Sequence, residues 1–388
     1  MQGRQGERYP FYKVSDMNLP GNERLMSTAN HSISEAVRKQ LRANVFSAGT
    51  IIFPKVGGAI ATNKKRKISM DCCVDNNVMG LIPNEDVLDA DFLYYLMQNT
   101  NLYDFSNRAN PPSIRQMTVE AWPIVLPKSI SEQKRIVAIL DEAFEGVDAA
   151  VANAEKNLAN ARELFESYLQ TIFARQAVGW TKKPLAAVCK KITVGHVGSM
   201  AHRYQESGIP FLRSQNVRPF EITMDNVTFI DDAFHKELNK SQLRPGDLAI
   251  VRTGYPGTAA VIPPWLIEAN CSDLVIIRPG QDLMPEYLES FFNSSFGKKL
   301  VLGKLVGAAQ KHFNVTAAKE VVLHYPPARE QATVVAEIKQ LRDEAKRLET
   351  LYEGKIAALA KLKQAVLAKA FAGELTAQPE RALPEAAE

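Results

Sequence analysis

The sequence is poor in the groups that chemistry usually needs. Its 388 residues hold only four cysteines and six histidines. Cys72, Cys73, Cys189 and Cys271 have neither disulfide nor metal-site spacing, so they read as reduced thiols, as expected of a cytoplasmic protein. His196, His202 and His235 do not fall at metal-ligand intervals. No glycine-rich turn ends in the Gly-Lys-Ser/Thr of a phosphate-binding loop, and Gly254-Tyr255-Pro256-Gly257 reads as a turn. Acidic pairs such as Asp231-Asp232 lack a partner base, and spacing assembles no Ser/His/Asp or Cys/His set. No apolar run approaches the roughly 20 residues of a membrane span. The opening MQGRQGERYP lacks the apolar core of a signal peptide. An excess of one charge is missing too: 47 Lys and Arg against 43 Asp and Glu leave +4, which permits nucleic-acid binding without requiring it. The pattern is that of a reader or a scaffold, not a catalyst.

What is present is a repeat. Two long, alanine-rich, heptad-patterned segments run from Ser131 to Ala177 and from Arg329 to Phe371. Aligning Gln133 with Gln331 also pairs Ile136 with Val334, Leu140 with Ile338, Leu164 with Leu362, Leu169 with Leu367 and Phe173 with Phe371, without a gap. In the first segment apolar or small residues at Ile136, Leu140, Ala143, Val147, Val151, Ala154, Leu158, Ala161, Phe165, Tyr168 and Ile172 follow steps of three and four, the seam of a coiled coil. No proline interrupts either segment, Ser129 or Ser131 can cap the first, and Gly179 and Gly373 stand just past the ends. Each predicts a helix of about 65–70 Å at ~1.5 Å per residue. A seam of that length needs a partner equally long, so the two are expected to pack on each other. The charged outer faces are left for other subunits.

Each helix follows a globular part of mixed strands and short helices, which makes the fold class α+β. The expected organisation is 1–127 globular, 128–178 helix, 179–327 globular, 328–375 helix, and 376–388 a frayed tail. In the first part Thr50–Phe53 reads as a strand, Asp91–Met97 as a short buried helix, and Val119–Leu126 as the closing segment. The second repeats the order with Pro245–Val251, Glu286–Phe292 and Asn314–Pro327. One asymmetry stands out. The run Gly179–Gly208 precedes the strand at Pro210, whereas only nine residues precede its counterpart at Pro10. The expectation is a first copy without its opening strand, or a chain that starts late, with the late start favoured.

Side chains suited to reading base edges fall in the loops. Arg213, Gln215, Asn216 and Arg218 follow one strand of the second part, and Lys13 and Ser15 match them in the first. Arg252 and Thr253 follow the next strand, as Lys55 does. Lys311, His312 and Asn314 precede the closing segment, opposite Arg115. The run Lys64, Lys65, Arg66, Lys67 suits phosphates, which position a protein without specifying sequence. Asn110-Pro111-Pro112-Ser113 resembles the Asn-Pro-Pro-aromatic motif of amino-methyltransferases. It has Ser113 where a base-stacking ring is needed, so it predicts no such site.

The whole chain resembles the specificity subunits of type I restriction–modification systems. The motifs are Leu126-Pro127 followed by Ser131-Glu132-Gln133-Lys134-Arg135-Ile136-Val137, and their echo Tyr325-Pro326-Pro327-Ala328-Arg329-Glu330-Gln331. Gly179-Trp180, Gly307–Asn314 and Leu367–Leu375 add to them. The resemblance implies two target recognition domains, each reading half of a bipartite target on double-stranded DNA, and an antiparallel coiled coil that fixes the spacer. It implies a subunit without catalytic activity or cofactor of its own. Two methyltransferase subunits using S-adenosylmethionine, and restriction subunits using ATP and Mg, would supply the chemistry. The alternative is a coiled-coil scaffold without sequence-specific DNA binding.

Overall fold

The computed structural model describes residues 4–127, 129–175, 177–304 and 312–375. The chain divides into two compact units, residues 1–154 with 354–388, and residues 155–353. Each long helix is therefore shared between the units instead of forming a unit of its own.

Unit 1 holds strands β1 (Tyr9–Tyr12), β2 (Leu25–Met26), β3 (Ser32–Ile33), β4 (Ile51–Pro54), β5 (Arg66–Ile68), β6 (Cys73–Val74) and β7 (Val78–Leu81). Its short helices are α1 (Glu35–Leu41), α2 (Ala90–Gln98) and α3 (Gln116–Glu120). One sheet has the order β3-β1-β6, with β1 antiparallel to β3 and parallel to β6. A second has the order β2-β5-β4-β7. β4 is buried throughout and α2 lies against it, joining Phe92 and Leu93 to Ile51 and Phe53 in one core. The same core takes in both long helices, α4 (Ile130–Ala174) and α10 (Ala328–Phe371), through Ile136 and Leu140 of the first and Leu367 and Ala370 of the second. Further along α4, Asp148 pairs with Lys363. Moving up α4 thus means moving back along α10, and the two are antiparallel. Ser129 Oγ accepts the Glu132 amide at 3.2 Å and so caps α4.

Unit 2 holds β8 (Thr181–Pro184), β9 (Cys189–Val194), β10 (Ile209–Leu212), β11 (Val217–Arg218), β12 (Glu221–Ile222), β13 (Thr228–Ile230), β14 (Leu248–Val251), β15 (Ala259–Val261), β16 (Asn270–Cys271), β17 (Leu274–Pro279) and β18 (Val322–Tyr325). Its short helices are α5 (Leu185–Val188), α6 (Asp232–Glu237), α7 (Pro285–Asn293), α8 (Ser295–Leu302) and α9 (Val315–Lys319). Much of the topology repeats that of unit 1. The sheet β13-β10-β16 matches β3-β1-β6, again with one antiparallel and one parallel neighbour. The sheet β15-β14-β17-β9 has β14 buried at its centre, as β4 is. Two small pairs, β11-β12 and β18-β8, complete it. Here too the long helices run antiparallel. Arg162 meets Glu349 at 3.4 Å and Glu353 at 3.0 Å, and the Tyr168 hydroxyl donates to Glu337 at 2.5 Å. Leu169 and Phe173 enter the unit 2 core beside Val334 and Ile338. Burying each such side chain is worth about 1.5–3 kcal/mol.

The closing segment of the first part forms no strand. Residues 122–127 have no regular structure, whereas their counterpart β18 pairs with β8. A strand needs a neighbour to satisfy its backbone groups, and among the described residues unit 1 has no strand in the place of β8. The expected tail, 376–388, lies outside the described residues.

Candidate nucleic-acid interface

In unit 2 the loops singled out by sequence meet around Asp273, which has a left-handed φ of 54°. Leaving β10, the chain makes a tight turn in which the Arg213 amide donates to Asn216 Oδ1 at 3.0 Å. Asn216 is fully buried and its Nδ2 donates to the carbonyls of Thr223 (3.2 Å) and Asp225 (3.1 Å). After β14, Arg252 pairs with Asp273 at 3.3 Å, and Thr253 Oγ1 donates to the same carboxylate. The segment before α9 joins them, the Phe313 amide donating to the Arg252 carbonyl at 3.1 Å and Arg252 Nε to the Phe313 carbonyl at 3.3 Å. Asn314 caps α9, its Oδ1 accepting the Ala317 amide at 2.8 Å.

Unit 1 repeats the arrangement with other side chains. The Lys13 amide donates to Asp16 Oδ2 at 2.7 Å, and the Asp75 amide to the Tyr12 carbonyl at 3.0 Å. The Lys55 amide donates to the Asn77 carbonyl at 2.9 Å, and the Ile114 amide to the Lys55 carbonyl at 2.8 Å. The three loop regions therefore come together in each unit.

The expected contact residues differ in what they have left to offer. Ser15, Arg115, Gln215 and Arg218 are exposed, and Lys13, Lys55 and Arg213 are half-buried. Arg213 Nη2 and Gln215 Nε2 both donate to the Asn226 carbonyl, at 2.9 and 3.4 Å, and Arg213 lies 5.7 Å from the centre of the Tyr204 ring. Arg218 pairs with Asp225 at 3.0 Å, an exposed pair worth little. His312 is half-buried, and Lys311 lies outside the described residues.

Other expected contact residues are already engaged within the protein. Lys65 is 1% exposed, and its Nζ donates to Asn63 Oδ1 (2.7 Å) and the Thr100 carbonyl (2.6 Å). Burial pushes its ammonium down to about 7. Its neighbours are engaged as well: Lys64 with Asn18, Arg66 with the carbonyls of Lys65 and Met17, Lys67 with Asp91. The run 64–67 leads into strand β5, and each of its side chains has a partner within the protein. Asn216, Arg252, Thr253 and Asn314 help hold the loops in shape through the bonds above.

Sequence reasoning missed the groups beside these loops. Asp273 was invisible because its role depends on chain reversal. Tyr255 is 84% exposed between Gly254 and Gly257, whose φ values of 81° and 92° shape its loop. The sequence shows a ring between two glycines three residues past Arg252, and that signal could have flagged it. Among the described residues no group of His, Cys, Asp and Glu could hold a metal ion, and no helix is long and apolar enough to cross a membrane.

Each unit is an α+β fold that gathers a cluster of polar loops and holds an antiparallel pair of long-helix segments. Residues 2–157 match the family model of the type I restriction modification DNA specificity domain. The chain is 26% identical over 324 residues to the specificity subunit of the type I restriction enzyme EcoKI from Escherichia coli (strain K12), covering 77% of this chain and 68% of that one. The specificity subunit of the type I restriction enzyme StySPI from Salmonella potsdam is 26% identical over 328 residues, with the same coverage. Among solved structures, a chain from a study of complex assembly and conformational transition of the type I R-M system superposes with a TM-score of 0.76 at 19% identity, over 94% of this chain and 92% of that one. The HsdS subunit from Thermoanaerobacter tengcongensis gives 0.55 at 19% identity, over 94% and 90%. Residues 2–157 thus match a DNA specificity domain, and most of the chain is similar to specificity subunits of type I restriction enzymes.

Proposed function

We propose that this chain is the DNA-reading, non-catalytic subunit of a type I restriction–modification complex acting in the cytoplasm. Each unit reads one half of a bipartite site on double-stranded DNA, and the paired helices α4 and α10 set the spacer. The observation that carries the reading is the recurrence of the three-loop cluster in both units on one topology but with different side chains. Shared topology presents the loops alike, while Lys13, Ser15, Lys55 and Arg115 in one unit and Arg213, Gln215 and Arg218 in the other favour different bases, so the target is asymmetric. The helices also recruit two methyltransferase subunits. Leu164 and Leu362, equivalent by the repeat, are 63% and 48% exposed on their outer faces and suit such a partner. S-adenosylmethionine, ATP and Mg serve the methyltransferase and restriction subunits and not this chain.

The test is co-expression with a methyltransferase subunit and sequencing of modified adenines in the host DNA. The expected result is one bipartite, asymmetric motif with a fixed spacer. A palindromic motif would overturn the two-reader model. A stable complex that modifies nothing would favour the scaffold.

A further inference from the structure

The loop after β14 runs Arg252-Thr253-Gly254-Tyr255-Pro256-Gly257-Thr258 into β15, and its sequence dictates a stiff turn. Gly254 and Gly257 take the left-handed φ values that other residues avoid. Pro256 fixes its own φ and biases Tyr255 before it away from helical backbone. Hydrogen bonds close the turn. The Tyr255 amide donates to the Thr253 carbonyl (3.1 Å), the Thr258 amide to the Tyr255 carbonyl (3.2 Å) and the Gly257 amide to the Val251 carbonyl (3.0 Å). Gly257 also lies against Val301 of α8, where even a Cβ would come within 3.3 Å of the valine.

This frame holds out one side chain. Arg252 and Thr253 turn to Asp273, Pro256 and Thr258 are half-buried, and the Tyr255 ring is 84% exposed. The ring belongs to the polar loop cluster, because Asp273 also gathers the turn after β10. Ser214 Oγ donates to the Asp273 carbonyl at 3.5 Å, and Ser214 lies between Arg213 and Gln215.

Unit 1 has no such ring. Its matching loop, Lys55–Thr62, contains no aromatic residue. Val56 bridges to Ser113, the Gly57 amide donates to the Pro112 carbonyl at 2.8 Å, and the chain then winds into one short helical stretch (Gly57–Thr62) with Ile60 buried.

A lone exposed ring is common on protein surfaces. On a stiff loop among base-reading side chains it has a specific use. Contact then costs little loop-ordering entropy, and one ring matches the flat area of one base. A protein partner would need a contiguous apolar patch, which the flanking glycines do not supply. Apolar side chains inserted at a base step unstack it and kink the duplex, most cheaply at flexible pyrimidine–purine steps.

We propose that Tyr255 is a wedge: its ring inserts at one base step of the half-site that unit 2 reads and stacks on the base it displaces. The inference rests on the DNA-reading function proposed above. It adds a residue that selects by duplex deformability, in one half-site and not the other.

The test uses the full chain in complex with a methyltransferase subunit on a duplex carrying its methylated motif. Permanganate oxidises unstacked thymines and diethyl pyrocarbonate attacks unstacked purines. The expected result is one step, outside the methylated base pairs and within the half-site that Gln215→Ala alters, about fivefold or more as reactive as in free duplex. Tyr255→Phe should keep that step reactive, because the ring remains. Tyr255→Ala should abolish the reactivity and weaken binding about tenfold, the effect of one lost stack. Reactivity and affinity unchanged in Tyr255→Ala would overturn the wedge and leave DNA reading intact. So would a Tyr255→Phe variant that behaves like Tyr255→Ala, which would mark a hydroxyl contact to phosphate. A natural chain without preference for its motif over random duplex would overturn the DNA-reading function itself, and the wedge with it.

Discussion

The side chain of Gln133, near the start of α4, accepts the Asp89 amide at 2.8 Å and so ties the long helix to the first turn of α2. Its Nε2 donates to the Val87 carbonyl at 2.9 Å. Gln331 at the start of α10 does the same in unit 2, accepting the Met284 amide at 2.9 Å and donating to the Asp282 carbonyl at 2.8 Å. Both glutamines are buried. The repeated Glu-Gln of the sequence is thus a pair of clamps between a helix and its own globular part. Gln133→Ala or Gln331→Ala removes two side-chain hydrogen bonds to the backbone and should cost about 1–3 kcal/mol, at about 0.5–1.5 kcal/mol for each. Denaturant titration of each variant checks this, and a loss below a few tenths would show the clamp to be idle.

Arg213 and Gln215 share the Asn226 carbonyl, which aims both from one turn. Replacing either with alanine should relax one half-site only, by about 1–3 kcal/mol of discrimination. Sequencing of methylated sites reads the outcome. Weakening spread evenly over all sequences would make them phosphate contacts.

Lys65 is held inside the protein, so Lys65→Ala should leave the methylated motif and the salt dependence of DNA binding unchanged. It should lower stability by about 1–3 kcal/mol, because the Thr100 carbonyl and Asn63 lose their donor. A salt slope reduced by about one charge would place the ammonium on DNA after all.

Glu289 on α7 is buried, and its Oε1 accepts the Val261 amide at 2.8 Å. Burial pushes its carboxyl up to about 7 from an ordinary 4.5. The folded chain therefore holds a proton that the unfolded chain releases. That contribution to stability is present below the unfolded value and is lost as pH rises through about 7. Glu289→Gln keeps the acceptor without the charge. The variant should gain on the natural chain between about pH 5 and about pH 8, by on the order of 3 kcal/mol at most. Equal pH dependence of the two melting curves would refute the assignment.

By itself the sequence determined the helices and the duplication. Ile136, Leu140, Ala143 and Val147 recur at heptad steps that only a helix can bring to one face, and the ungapped pairing of Gln133 with Gln331 established two copies of one plan. It also marked the three loop regions, because a strand followed by polar residues signals a turn whatever its surroundings. Tertiary structure decided what those loops have left for a partner. Lys65 and Lys67 are both basic in the sequence, and only the course of β5 buries one and pairs the other with Asp91. Val125 and its neighbours form a strand pattern yet no strand, because pairing is a property of two segments, and the neighbour that β18 finds in β8 is missing beside them among the described residues. Periodicity is local and survives in a single chain segment, whereas burial and strand pairing depend on residues a hundred positions away and are settled only when the chain has folded.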